Sequence, residues 1–306
     1  MLKKFLYGYT FVTILLYNKE ENSPNRKRHH SMKSKSKLYF LSALTLTLLL
    51  SGLRTACFLT SYESDAGYFA STPTASITTI LYILAAAWCL AAPLLLSEKA
   101  EPSVTSNAAR SVGSKLAGSL FLFSGLCLGI GALISTSALR LVIGILGALA
   151  SVFFFTDGGL TSKKRTLHAA FGFVVLAFLF ALLFYVYFDM YVAINSPIKN
   201  ALQLSILSAM LLVLCEIRDS IDRPHLRLSP AIRLLCALFC LPTAVSHLIF
   251  ERSPLCGALE KELLTPFFSL ALLGIGIFAF VSASFEKGTK AKEKISQKPL
   301  DKSEEA

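Results

Sequence analysis

The chain has 306 residues, of which 54% are hydrophobic, and a mean hydropathy of +0.60. Soluble domains average about 45–50% apolar residues. The excess here lies in apolar runs whose length is close to the roughly 20 residues of a bilayer-spanning helix. This pattern excludes a string of ordinary soluble domains. The formal net charge is +11, but the basic residues lie mainly between the apolar runs, so the charge indicates membrane topology rather than nucleic-acid binding.

Residues 1–37 form a basic leader. Two lysines precede a 13-residue apolar stretch, FLYGYTFVTILLY, which is short for a span and is followed by no A-x-A cleavage site. The next segment, NKEENSPNRKRHHSMKSKSK, is strongly basic and should resist export. We therefore expect a cytoplasmic or interfacial leader. An alternative is translation from Met32, because MKSKSKLYFLSALTL is a conventional opening for a multi-pass protein.

Eight apolar runs follow the leader, and none shows the strict alternation of a barrel strand. In lipid only helices and closed barrels satisfy their own backbone, so each run predicts a transmembrane helix. The sequence therefore predicts an all-α, polytopic helical membrane bundle of about eight transmembrane helices over residues 38–285. The runs are Leu38–Thr60, Ile77–Ser97, Leu116–Ser135, Leu139–Thr156, Leu167–Phe188, Pro197–Cys215, Pro230–Phe250 and Pro266–Phe285.

Four Ser/Thr-Pro pairs mark predicted helix starts. A hydroxyl suits the N-cap, and proline suits the first helical position, where no N–H is needed. These pairs predict the beginnings of the second, sixth, seventh and eighth helices. They are Thr72-Pro73, Ser196-Pro197, Ser229-Pro230 and Thr265-Pro266.

The basic residues alternate between the two sets of loops. Of 30 Lys and Arg residues, 24 lie in residues 1–37, 98–115, 157–166, 216–229 and 286–306, whereas the other loops hold four. Cytoplasmic loops carry the excess of Lys and Arg. We therefore predict a membrane protein with both termini in the cytoplasm and an even number of spans. The charged tail, residues 286–306, is nearly devoid of large apolar residues and is predicted to be disordered.

Small residues pattern the third and fourth runs. Gly125 and Gly129 form a GxxxG, and Gly144, Gly147 and Ala148 lie in the next run. Small residues let two helix backbones approach closely. These runs are therefore predicted to form an antiparallel hairpin.

Four polar residues lie at a similar depth, near the outer ends of four predicted helices: Arg54, Asp189, Gln203 and His247. Ionisable residues inside a membrane are costly and mark candidate functional sites. If they converge, they form an outward-facing pocket in which Arg54 pairs with Asp189. If they do not, each is an interfacial side chain with its polar end in water.

The segment CEIRDSIDRPHLRLSP, residues 215–230, is the third predicted cytoplasmic loop. Arg218, Arg223 and Arg227 are candidate contacts for anionic lipid headgroups, although a solvated turn is the simpler interpretation. Asp219 and Arg223 are spaced to pair on a helix.

The seven cysteines form no CxxC and no cluster with zinc-ligand spacing. The sequence contains no P-loop or metal-binding motif. It therefore predicts no catalytic residue, no cofactor and no metal ligand.

Two segments carry a resemblance to known proteins: FDMYVAINSPIKNALQLSILSAMLLVLCEIRD, residues 188–219, and YFLSALTLTLLLSGLRT of the first run. On these segments, the chain from about residue 38 to 285 resembles uncharacterised multi-pass membrane proteins of Firmicutes. The resemblance implies eight spans and no assigned activity.

Three function classes remain. The first is a non-catalytic membrane component, acting as a partner or sensor for another membrane protein. The second is a small-solute transporter, which usually needs polar residues at mid-membrane, and these are sparse. The third is an enzyme that processes lipid headgroups, which would need paired carboxylates or a metal site in an inner loop.

Overall fold

The structure is a computed structural model that describes residues 26–63, 67–70, 72–96, 107–135, 137–157, 162–190, 192–193, 195–221, 228–257, 261, 263 and 265–283. The described residues form an all-α bundle of eight helices, as predicted, together with one two-stranded antiparallel hairpin. In chain order the elements are α1 Arg26–Thr60, β1 Tyr62–Glu63, β2 Tyr68–Phe69, α2 Pro73–Leu96, α3 Asn107–Ser135, α4 Ala138–Thr156, α5 Ser162–Phe188, α6 Pro197–Ser220, α7 Ser229–Phe250 and α8 Pro266–Ser282.

The chain divides into two compact units, Met1–Ser36 and Lys37–Ala306. In the first unit only residues 26–36, the beginning of α1, are described. The rest of the predicted leader and the predicted tail lie outside the described residues. The helical bundle belongs to the second unit.

Seven helices, α1 to α7, contain segments long and apolar enough to cross a membrane. The eighth, α8, has 17 residues and no charged side chain, and is about 25 Å long at 1.5 Å per residue. Its first turn reaches the end of α5, where Phe268 packs 5.4 Å from Tyr185. Its last residue, Ser282, accepts a hydrogen bond from Arg233 at the start of α7. The chain is therefore a multi-pass integral membrane protein whose last helix runs alongside full-length neighbours.

Several helices extend beyond the apolar runs, and most of them do so at one end of the bundle. The third run starts at residue 116, but α3 starts at Asn107. Likewise, α6 continues past Cys215 to Ser220. Backbone hydrogen bonds continue a helix whether its side chains face lipid or water. These extra turns carry charged residues of the candidate site described below.

Two of the predicted helix caps are confirmed. Ser196 caps α6, and its hydroxyl accepts from the backbone N–H of Lys199 at 3.2 Å, while Thr72 accepts from Ala75 N–H at 3.4 Å before α2. Thr265 is the N-cap of α8 but makes no side-chain cap bond. The prediction for Ser229 is wrong by one position, because α7 already includes it.

Helices α3 to α8 form a closed ring. Each packs on the next in chain order, and α8 returns to contact both α7 and α3. Short connections favour antiparallel packing between successive helices. One apolar core fills the ring, with Phe154 packed 4.8 Å from Phe121 and 5.3 Å from Phe278 between ring centroids.

The predicted α3–α4 hairpin is confirmed. A Cβ atom on Gly125 would lie 2.3 Å from the backbone nitrogen of Ala148, and one on Gly144 would lie 2.5 Å from that of Gly129. Real Cβ atoms do not come so close to backbone. Glycine at these positions therefore lets the two helices touch through their main chains.

Helices α1 and α2 pack on α7 and on the end of α8 through a second, smaller apolar cluster. Within it, the hydroxyl of Tyr39 in α1 donates to the carbonyl of Cys89 in α2 at 3.1 Å. Tyr82 of α2 stacks on Phe239 of α7. The first two helices are thus attached to the six-helix ring mainly through α7.

Candidate functional site

Six ionisable side chains meet at one end of the ring, where α3, α5 and α7 begin and α4, α6 and α8 end. This charge network consists of Arg110, Asp157, His168, Glu216, Asp219 and Arg233. Every ring helix reaches it, since α8 contributes the Ser282 carbonyl and Asp157 directly follows α4. The loops at this end belong to the Lys/Arg-rich set.

Arg110, in the first turn of α3, connects three helices. Its Nε and Nη2 donate to the two carboxylate oxygens of Asp157 at 2.9 and 2.8 Å, in a bidentate arrangement that is among the stronger hydrogen-bonded pairs. The same Nη2 donates to Oε2 of Glu216 at 2.8 Å. Arg110 therefore ties α3 to the end of α4 and to α6.

Glu216 lies at the centre of the network, and its side chain is 1% exposed. Its second oxygen, Oε1, accepts from Nε of Arg233 at 2.9 Å, and Nη2 of Arg233 also donates to Asp219 at 2.8 Å. An unpaired buried carboxylate would be very costly. Two guanidinium groups, one on each oxygen, offset that cost and join α6 to α3 and α7.

His168 completes the network from α5. Its ring stacks on Phe153, with centroids 4.1 Å apart, and its Nδ1 lies 3.0 Å from the Phe153 carbonyl oxygen. A carbonyl oxygen can only accept, so this contact places a proton on Nδ1. The hydroxyl of Thr156 lies 3.2 Å from the same nitrogen.

Three members of the network have ligand atoms within 4.8 Å of one another: Asp157, His168 and Glu216. Nitrogen and carboxylate ligands suit a metal such as zinc. However, Arg110 holds both carboxylates, and Arg233 holds one of them as well. A divalent cation would have to displace a guanidinium and lie beside two positive charges. The geometry therefore favours an ion network that joins helices.

At the opposite end of the bundle, Arg54 and His247 of the predicted outer pocket lie against one ring, Phe58. The Arg54 Cζ lies 5.2 Å from the ring centroid, and the His247 ring packs on it in T-shaped geometry at 5.6 Å. Arg54 also donates from Nη2 to the carbonyl of Pro197 at 2.9 Å. Arg54 is thus held by other helices.

The pair of Arg54 and Asp189, expected if the four side chains converge, does not form. The counter-charge of Asp189 is Lys199, whose Nζ lies 3.4 Å from Oδ2 and also donates to the Asp189 carbonyl. The two residues are 10 positions apart, so the short connection between α5 and α6 brings them together. Within the described residues, Gln203 hydrogen-bonds to none of Arg54, Asp189 and His247. That these four side chains bind a ligand stays a prediction.

Of the three predicted headgroup contacts, Arg218 is exposed in the last turn of α6. Arg223 and Arg227 lie outside the described residues, so the predicted pair of Asp219 with Arg223 is also outside them. The described partner of Asp219 is Arg233. Headgroup contact by these arginines stays a prediction.

Sequence reasoning did not identify most of the charge network. Arg110, Asp157, His168 and Arg233 are single charged residues at the borders of apolar runs, a position that any solvated loop residue shares. One signal was present: acidic residues lie at the polar border of helices in loops dominated by Lys and Arg. Buried Lys199 was assigned only to the outer charge count.

No protein-family model, curated protein or solved structure matches this chain.

Proposed function

We propose that the protein is a non-catalytic component of a bacterial cytoplasmic membrane, acting as a partner or sensor by binding rather than by a covalent reaction. The observation that carries this proposal is the commitment of Glu216 and Asp157 to arginines. A general acid or base must exchange a proton with substrate, and a metal ligand must face the cation. Each oxygen of these two carboxylates already accepts from a guanidinium group, so a substrate or a cation would have to compete with an arginine at every one of them.

The network instead suits a mechanical role. Breaking a buried ion pair by removing one partner costs about 3–5 kcal/mol. The network therefore holds the ends of six helices in one arrangement. A partner or sensor needs such a rigid frame for the surface or pocket that it presents.

Both termini are placed on the cytoplasmic side in this proposal. The distribution of Lys and Arg supports it, with 24 of 30 in one set of loops. We also propose that Arg218, Arg223 and Arg227 contact anionic headgroups at that face, since juxtamembrane basic residues each gain about 1 kcal/mol near such lipids. We also propose that the chain belongs with the Firmicutes membrane proteins that residues 188–219 resemble.

Analysis of membrane lipids tests whether the protein chemically modifies lipid headgroups. The headgroup profile of a host membrane, measured by mass spectrometry, should be the same with the wild-type chain, with Asp157→Asn, with His168→Gln and without the chain. Each variant must accumulate in the membrane to be counted. A lipid species that depends on the wild-type chain and disappears with a folded Asp157→Asn variant would show that the network is an enzyme active site.

The small-solute transporter remains a second candidate because of one observation. Arg54 and His247 place polar groups inside the outer half of the bundle, whereas the opposite end is joined by the charge network. A carrier with an outward-facing site would share this polarity. Uptake of a radiolabelled solute into proteoliposomes, abolished by Arg54→Gln, would favour the carrier over the sensor.

A further inference from the structure

Arg54 differs from Arg110 and Arg233 in having no acidic partner. Arg110 and Arg233 each contact two carboxylates. Within the described residues, no carboxylate lies within ion-pair distance of Arg54, whose Nη2 donates to the carbonyl of Pro197. Charged side chains inside a membrane protein pair with one another or with backbone carbonyls, and in the part of the chain that the structure describes Arg54 has the carbonyl but no counter-charge. Arg54 thus carries an uncompensated charge among the described residues.

His247 is fully buried, yet neither ring nitrogen has a hydrogen-bond partner. The Nε of Arg54 is also buried and unpartnered. Roughly 90% or more of buried polar groups in proteins have a partner. The Nε–H of Arg54 and the N–H of the His247 imidazole therefore lack acceptors, which a ligand or ordered solvent would supply, while the second nitrogen of the neutral ring lacks a donor.

These groups belong to one location. Arg54 and His247 contact the same Phe58 ring, and Tyr82 of α2 lies on Arg54 with its ring centroid 5.9 Å from Cζ. Arg54 is six residues before the end of α1 at Thr60, and His247 is three before the end of α7. Helices α1, α2 and α7 thus surround polar groups that lie one to two turns inside the membrane.

We propose that Arg54 and His247 bind a singly charged oxyanion, a carboxylate or a phosphodiester. The guanidinium supplies one permanent positive charge and the unused Nε–H, and the imidazole supplies a second N–H donor. An oxyanion provides acceptors for both and neutralises the charge. A cation would meet the guanidinium unfavourably, and a purely apolar ligand would leave all three nitrogens unsatisfied.

The chemistry fits two sources. One is a small carboxylate that enters from the outer side, and the other is the phosphodiester of an outer-leaflet phospholipid. This site goes beyond the proposed function, because a sensor and a carrier could both use it. Its failure would leave the assignment of the charge network untouched, since that network lies at the other end of the helices.

The experiment uses the full chain, delipidated in dodecyl maltoside, and measures its thermal unfolding. Sodium acetate and phosphatidylglycerol are the two probes, and sodium chloride at equal ionic strength is the reference. At about ten times Kd, a bound anion should raise Tm by about 2–4 °C. Acetate alone raising Tm would identify a small carboxylate as the source, and phosphatidylglycerol alone would identify a lipid phosphodiester.

Three variants make the test specific. Arg54→Gln should abolish the rise. His247→Phe should weaken or abolish it while still folding, since an apolar ring beside Phe58 removes two unsatisfied nitrogens. Arg140→Gln is the matched control, because Arg140 also lies near the outer end but is held by the Tyr185 hydroxyl at 2.8 Å. It should retain the rise.

Two results would overturn the proposal. One is a response of equal size in Arg54→Gln and in the wild type, which would indicate a general anion effect. The other is no response of the wild type to either probe, which would leave ordered water as the partner of His247.

Discussion

Arg110 and Glu216 are 106 residues apart in the chain and meet at 2.8 Å near one end of the bundle. The first lies in the first turn of α3 and the second in the last turns of α6, so their pairing fixes two helices that are not neighbours in the ring. The exposure of Glu216 is 1%. Removing its charge leaves two guanidinium groups without their shared partner.

Glu216→Gln is therefore expected to lower the free energy of unfolding by about 3–5 kcal/mol. The amide keeps the size of the side chain but not the charge. Thermal unfolding in detergent, followed by circular dichroism, measures the change. Glu63→Gln is the control, because Glu63 is exposed in β1 and should change stability by less than about 0.5 kcal/mol. Similar effects of both substitutions would contradict a buried network.

Replacing both partners should be milder than replacing one. In Arg110→Met combined with Asp157→Leu, a bidentate pair becomes an apolar contact. Glu216 loses Arg110 in the single and in the double variant, so the comparison isolates Asp157. We expect the double variant to be more stable than Arg110→Met alone, in which Asp157 is left unpaired. A double variant as unstable as the sum of both single changes would show that the pair contributes no coupling.

Gly125→Ala should destabilise the α3–α4 hairpin. The added Cβ would lie 2.3 Å from the backbone of Ala148, so the helices must separate, and overpacking of this kind typically costs about 1–3 kcal/mol. Gly131→Ala is the matched control on the same helix, since a Cβ there meets nothing within 4 Å. The control should be neutral or stabilising because alanine favours helix. Equal melting temperatures for the two variants would argue against close backbone contact.

Double-mutant cycles distinguish the two possible partners of Asp189. Asp189→Asn and Lys199→Met should show strong coupling, because the Lys199 side chain is 1% exposed and its Nζ lies 3.4 Å from the carboxylate. The cycle of Asp189→Asn with Arg54→Gln should be additive to within about 0.5 kcal/mol. Chemical or thermal unfolding of the purified protein measures both cycles. Stronger coupling to Arg54 than to Lys199 would reverse the assignment.

Cysteine labelling tests the topology in intact cells. On a background without the seven native cysteines, Met190→Cys and Tyr68→Cys should react with an impermeant maleimide. Both positions are exposed, at 92% and 44%, and lie at the end opposite the charge network. Ile221→Cys, exposed by 54%, should react only after the cells are opened. The opposite labelling pattern would place the termini outside.

The helices and several of their starting points could be derived from the sequence. Apolar runs, Ser196-Pro197 and the small residues of α3 and α4 act through local backbone chemistry and through the burial of one helix against the next, so a short window of residues holds the necessary information. The alternation of basic loops is likewise readable from the chain, since it depends on where charges lie along it.

Pairing between distant helices was decided by the tertiary structure alone. A charged residue at the border of an apolar run has the same local sequence whether it faces water or a partner from another helix. Closure of the ring places Arg110 next to Glu216, and the short α5–α6 connection places Asp189 next to Lys199 rather than next to Arg54. The energy of an ion pair decreases with the distance between its charges in space. The closure of the bundle therefore determines which charges meet, and it leaves Arg54 beside His247.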